Sequence, residues 1–212
     1  MPHITVTGID EHLAAADIYS LLDEGAEVGV LYSYSHDGRN RYPTQEWIVE
    51  VASRCGKGQL AIHVCGKRAR GQLLRGHVMF RMFSRIQVNG VVSGPELELL
   101  CNIYDESEII TQRFHDWNEW LDDSKIGNHA ILMDSSGGCG NCPDMRWAPN
   151  TDQKVGFAGG LGPHNLREEL PKIKRIATGD WWIDMESGVR TKDWFDMDKA
   201  FEAIRQFKEL TQ

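Results

Sequence analysis

Along the chain, short apolar and β-branched runs recur and end in glycine or polar residues, and nearly every one leads into a stretch with helical spacing. The strand candidates are Ile4 to Thr7, Val28 to Tyr34, Leu60 to Cys65, Arg85 to Val88, Ile109 to Phe114, Ala130 to Asp134, Lys154 to Ala158 and Trp181 to Met185. The helical patterns between and after them are Glu11 to Asp23, Thr44 to Cys55, Ala69 to Phe83, Pro95 to Tyr104, Trp117 to Asp123, Asn165 to Ile176 and Asp196 to Leu210. Thr44 before Gln45-Glu46, Ser93 before Pro95-Glu96, and Asp196 have the chemistry of helix N-caps. Only Ser135 to Gln153, after the sixth strand, reads as a long Gly- and Pro-containing loop, and a loop of that length on a compact fold points to function.

Strands that alternate with helices must pair in parallel through right-handed crossovers. Eight such units close into a barrel, which leaves no sheet edge exposed. A doubly wound open sheet would place a glycine-rich fingerprint directly after the first strand, where this chain has only Thr7-Gly8-Ile9-Asp10. The expectation is therefore an α/β protein, a (β/α)8 TIM barrel forming one domain over residues 1–212.

Composition narrows the partners. The 212 residues are 41% hydrophobic and 25% charged, an ordinary globular balance, and the formal net charge of -8 disfavours nucleic acid and anionic membrane as partners. No signal-peptide pattern or membrane-spanning run is present, and five scattered cysteines form no disulfide framework. These features lead to the expectation of a cytoplasmic protein, a monomer or homodimer, and the glycine-rich loops described next add a phosphorylated small molecule as its ligand.

In a barrel of this kind the ligand site is built from the loops that follow the strands, with phosphate usually near the last two. Those are the glycine-rich points here: Ala158-Gly159-Gly160-Leu161-Gly162-Pro163 after the seventh strand, and Asp184-Met185-Glu186-Ser187-Gly188-Val189 through the end of the eighth. Glycine lets backbone N–H groups approach phosphate oxygens with no Cβ in the way. Tight strand-to-helix turns would require the same glycines.

The order of these motifs resembles that of the phosphoribosylanthranilate isomerase family, itself made of β/α barrels. Thr5-Val6-Thr7-Gly8-Ile9 lines up with that family's opening Lys-Ile-Cys-Gly-Ile, and Arg41-Tyr42 with its Arg-Tyr pair. Ile86-Gln87-Val88-Asn89-Gly90 matches Val-Gln-Leu-His-Gly, and Ile131-Leu132-Met133-Asp134 followed by Gly137-Gly138 matches Leu-Leu-Asp before a Gly-Gly loop. Ala158 to Leu161 and Asp184 to Val189 match the closing Ala-Gly-Gly-Leu and Asp-Val-Ser-Ser-Gly-Val.

The resemblance implies an Amadori-type aldose–ketose isomerisation of a phosphoribosylated amine, with no cofactor and no metal. By that alignment Asp134 is the general acid and Thr7 occupies the catalytic cysteine position. Arg41 pairs with a substrate carboxylate, and Gln87, Asn89 and Asp184 contact substrate. Gly159, Gly160, Ser187 and Gly188 hold the phosphate.

The chain departs from the family pattern at four places. Thr7 replaces the cysteine, Asn89 the strand-four histidine, Asn141 the loop lysine and Glu186 the first serine of the phosphate motif. A threonine hydroxyl is no base near neutral pH unless another group activates it. Cys65, Cys139, Asp10 and His36 are the other candidates for that role, and none is singled out by spacing. Cys139-Gly140-Asn141-Cys142 has the CxxC spacing of metal and redox sites, but no second CxxC accompanies it. Two other readings stay open: a barrel that keeps the pocket without the chemistry, and an isomerase or lyase for another phosphosugar.

Overall fold

The structure is a computed structural model that describes residues 1–38, 41–113, 127–134, 140 and 151–212. Eight strands close into one barrel in chain order: β1 (His3–Thr7), β2 (Glu27–Tyr32), β3 (Leu60–Val64), β4 (Arg85–Val88), β5 (Glu108–Arg113), β6 (His129–Asp134), β7 (Val155–Ala158) and β8 (Trp181–Met185). Every neighbouring pair is parallel, and β8 closes on β1 with Ile183 opposite Ile4. The expected (β/α)8 barrel is thus the observed fold. The helices among the described residues are α1 (Ala15–Asp23), α2 (Gln45–Cys55), α3 (Lys67–Leu74), α4 (Gly94–Ile103), α5 (Leu166–Ile176) and α6 (Met197–Thr211).

The three caps read from the sequence start their helices. Thr44 Oγ1 accepts from the Trp47 amide at 3.3 Å and Asp196 from the Lys199 amide at 3.1 Å. Ser93 and Glu96 form a reciprocal capping box at the start of α4. Two helices differ from expectation. The first begins at Ala15, and Glu11 instead accepts hydrogen bonds from the Thr44 amide and hydroxyl at 2.7 Å. The third stops near Arg75, where Gly76 has φ +73, a left-handed helix stop, and a separate 3₁₀ turn covers Val78–Met82. A small hairpin after β8, β9 (Arg190–Thr191) with β10 (Trp194–Phe195), was not legible. Its turn residues Lys192 and Asp193 have φ +50 and +71, without the Asn-Gly or Asp-Gly signal that marks such turns. The helical pattern Trp117 to Asp123 and nearly all of the loop Ser135 to Gln153 lie outside the described residues.

The side-chain period of two sorts each strand into an outward set and a lumen set. Ile4, Val6, Val28, Val30, Ile62, Val64, Ile86 and Val88 pack outward with the helices in the main core. The lumen receives a smaller apolar cluster of Ile110, Ala130, Leu132, Ala158 and Trp182, and a run of polar side chains. Trp182 fills the lower lumen because Gly156 on β7 has no side chain: a Cβ there would lie 2.2 Å from the indole. Arg85 stacks on the same indole with its guanidinium carbon 4.1 Å from the ring centroid, and is paired with Glu27 at 2.7 Å and Glu108 at 2.5 Å. This buried ion cluster floors the lumen and leaves its upper half for other groups. Gly156→Ala, which overpacks the lumen without backbone strain, is expected to destabilise the fold by about 1–3 kcal/mol in urea unfolding.

Candidate functional site

A cavity of about 370 Å3 opens at the C-terminal ends of the strands. Its wall includes Arg41, Tyr42, His63, Cys65, Gln87, Asn89, Asp134, Asp184 and Glu186, with Gly159, Gly160 and Ser187 on the side of the last two strands. Asp134 is opposite Ala158 in the β6–β7 register, and the β7–β8 register runs Val155–Trp181, Gly156–Trp182, Phe157–Ile183, so Ala158 is next opposite Asp184. The two carboxylates therefore stand on one rung, two strands apart, with Cα atoms separated by about 10 Å at ordinary strand spacing.

At the base of the cavity, polar contacts link side chains of four strands. Thr7 on β1 donates to Asp184 Oδ1 at 2.8 Å, and His63 Nε2 on β3 lies 3.4 Å from both Thr7 Oγ1 and Asp184 Oδ2. The Gln87 amide nitrogen on β4 contacts His63 Nδ1 at 3.1 Å and Asn89 Oδ1 at 2.9 Å. Two donor contacts from one amide make His63 Nδ1 the acceptor, which leaves the ring proton on Nε2, facing Asp184. Gly29 on β2 makes room for Thr7, since a Cβ there would approach the Thr7 hydroxyl to 2.4 Å. Burial pushes the Asp184 carboxyl up to about 7 against the hydrogen bond from Thr7, and pulls His63 down to about 4, so the imidazole is neutral at neutral pH.

The cavity rim is an ion network. Arg41 holds Glu186 and Asp193, both at 2.6 Å. Burial works against the Arg41 charge, but those two carboxylates outweigh it and raise its pKa. Arg190 donates to the Gly8 carbonyl at 2.7 Å, fitting a turn where a Gly8 Cβ would clash with its guanidinium, and lies 3.7 Å from Asp10 and from Glu186. Among the described residues no group of three or more His, Cys, Asp or Glu side chains is arranged to hold a metal ion. No described helix is long and apolar enough to cross a membrane.

No family model matches the chain. The N-(5'-phosphoribosyl)anthranilate isomerases of Lacticaseibacillus casei and Lacticaseibacillus paracasei are 30% identical to it over 79 residues, 37% of this chain and 37% of theirs. Several solved structures superpose over nearly the whole chain. Phosphoribosyl anthranilate isomerase from Thermus thermophilus has TM-score 0.67 and 18% identity, over 98% of this chain and 99% of that one. TrpF from Jonesia denitrificans has TM-score 0.72 and 15% identity, over 100% of this chain and 98% of that one. The chain shares the barrel fold of these isomerases and resembles their sequence over those 79 residues. A further such isomerase, TM-score 0.67 and 17% identity over 99% of this chain and 100% of that one, was crystallised with reduced 1-(o-carboxyphenylamino)-1-deoxyribulose 5-phosphate.

Of the residues that the family resemblance points to, Asp134, Arg41, Gln87, Asn89, Asp184, Gly159, Gly160 and Ser187 all line the cavity. Gly188 does not. A Cβ on it would meet the Leu161 carbonyl at 2.0 Å and Gly162 Cα at 2.7 Å, so this glycine lets the loops after β7 and β8 touch. Thr7 also lies behind the wall instead of in it: it is fully buried, and its hydroxyl proton is committed to Asp184. Of the alternative bases, Cys65 is held protonated by burial, its thiol pushed up to about 12. Asp10 caps the hairpin through the Phe195 amide at 2.8 Å, and His36 bonds Ser33 and stacks on Tyr42 away from the wall. Cys139, Asn141 and Cys142 lie outside the described residues.

His63 was missed by sequence reasoning. The alternation Ala61, His63, Cys65 against Ile62, Val64 was the available signal, since it puts a histidine in the lumen next to the rung of Asp184. A buried acid with a raised pKa holds a proton that the unfolded chain, ionising near 3.8, has already lost. Its ionised form thus costs stability as pH rises from about 4 to 7. Asp184→Asn removes that cost, so its gain in stability over the parent should be near zero at pH 4 and reach on the order of 4 kcal/mol at pH 8. Thermal unfolding of both proteins across that range checks it.

Proposed function

We propose that this protein is a phosphoribosylanthranilate isomerase-like enzyme that converts a phosphoribosylated amine into the corresponding 1-amino-1-deoxyribulose 5-phosphate. The observation that carries the reading is the placement of Asp134 and Asp184 on one rung of the barrel mouth, in a cavity lined on the side of the last two strands by Gly159, Gly160 and Ser187. Two carboxyl groups on opposite sides of a ribose suit a reaction that needs one acid and one base. The complex of a related isomerase with reduced 1-(o-carboxyphenylamino)-1-deoxyribulose 5-phosphate supports the same ligand class.

In this mechanism Asp134 gives its proton to the ribose ring oxygen as the C1′–O bond breaks. The amine nitrogen lone pair forms the C1′ iminium, and loss of the C2′ proton then yields the enaminol. Gly159 and Gly160, at φ +89 and +64, turn backbone that other residues rarely adopt toward the phosphate, and Ser187 adds a hydroxyl. Net conversion is an internal redox exchange between C1′ and C2′, and no external electron carrier is needed.

A second reading is favoured by the rim. Arg41, which the family resemblance assigns to a substrate carboxylate, is engaged by Glu186 and Asp193. An aglycone without a carboxylate would leave that pairing intact. Purified protein mixed with phosphoribosylanthranilate is expected to quench its fluorescence catalytically, and Asp134→Asn to lower kcat by at least about 100-fold. No turnover of this substrate by the parent would refute the isomerase reading. With turnover in hand, Glu186→Gln combined with Asp193→Asn removes both carboxylates from Arg41 and should lower KM several-fold; an unchanged KM favours the aglycone without a carboxylate.

A further inference from the structure

Resting on that isomerase reading, we infer that Asp184 is the general base that takes the C2′ proton, with Thr7 and His63 as the positioning residues that hold its carboxylate. Thr7 occupies the family's catalytic cysteine position, so the proton acceptor must come from elsewhere in this chain. Asp184 is the ionisable group nearest that position: the Thr7 hydroxyl points at its Oδ1 from 2.8 Å. The substitution has therefore moved the base by one hydrogen bond, from β1 to its barrel neighbour β8. Asp184 lines the cavity, whereas Thr7 does not.

The surroundings fit a base and not a permanently charged anchor. The groups facing Asp184 are Thr7 from β1, His63 from β3 and, within the same cavity, Glu186 from beyond β8, Asp134 from β6, Arg41, Tyr42 and Cys65. Glu27 and Arg85 lie one layer below, paired with each other at 2.7 Å. Among the described residues no arginine or lysine bonds Asp184 directly, so a proton arriving on it displaces no arginine or lysine salt bridge. Its close partners are neutral: the Thr7 hydroxyl donates to it and the His63 imidazole lies 3.4 Å away, an arrangement that orients the carboxylate without pinning its charge. Desolvation places its titration near neutrality, where an acceptor is most effective.

The proton count closes within the pair. Asp134 protonates the ring oxygen and is left as a carboxylate; Asp184 accepts the C2′ proton as the C1′–C2′ double bond forms and the iminium electrons return to nitrogen. Asp184 then delivers its proton to C1′ while the C2′ hydroxyl proton returns to Asp134 as the C2′ carbonyl forms. Both side chains end as they began.

The experiment is kcat/KM against pH with phosphoribosylanthranilate for the parent, Asp184→Asn and Thr7→Val, with binding of reduced 1-(o-carboxyphenylamino)-1-deoxyribulose 5-phosphate as the measure of an intact site. Asp184→Asn should bind that analogue like the parent and lose at least about 100-fold in kcat. The parent profile should fall on the acid side near pH 7. Thr7→Val, which deletes a hydrogen bond to the ionised form, should lower kcat/KM at neutral pH and move that limb to higher pH. Turnover by Asp184→Asn within a few-fold of the parent, or a limb that Thr7→Val leaves in place, overturns the assignment while the isomerase reading survives. Absence of turnover by the parent overturns both.

Discussion

The interaction on which this site depends is the exclusion of water from around Asp184. Closing eight parallel strands in chain order forces every second residue of each strand into one lumen, whether it is apolar or not. Trp182, admitted by Gly156 and capped by the Arg85 ion cluster, plugs the lower half. A carboxyl group one turn of the pleat above that plug sits in a dry environment, and its charged form is disfavoured. Thr7 reduces that penalty by donating a hydrogen bond, but it is neutral and does not cancel it. Such an acid can exchange a proton at neutral pH.

The rim follows a different physical logic. Glu186 stands where the family has a serine beside the phosphate, and a lone carboxylate there would repel the ligand. Arg41 and Arg190 flank it, and Arg41 also reaches Asp193 at the tip of the β9–β10 hairpin. These contacts join the turn after β8 to the loop that carries Arg41, so the charge that would bind an anionic aglycone also braces the mouth of the cavity. Departures at Glu186 and in the hairpin are thus coupled through one guanidinium.

Much of this was readable from the chain. Strands Arg85–Val88 and Trp181–Met185 were bounded correctly from pattern alone, because a barrel strand presents one continuous apolar face to its helices. Asp134 and the two glycines of β7's loop followed from motif order. The hydrogen bond between Thr7 and Asp184 did not, since it depends on β1 and β8 meeting only when the barrel closes, 177 residues apart in sequence. Gly188 falls outside the cavity wall, because a phosphate loop and a tight loop-to-loop contact call for the same residue. His63 was passed over as one polar residue in an apolar strand, although its place in the alternation pointed into the lumen.

The account's central claim is that the lumen makes Asp184 an acceptor at neutral pH, and 13C NMR titration of labelled aspartate carboxyls tests it directly. The resonance lost in Asp184→Asn is predicted to titrate near 7 in the parent protein. A midpoint near the ordinary aspartate value of about 4 would contradict the account, because the carboxylate would then be solvated and the barrel would have no raised acid at its mouth.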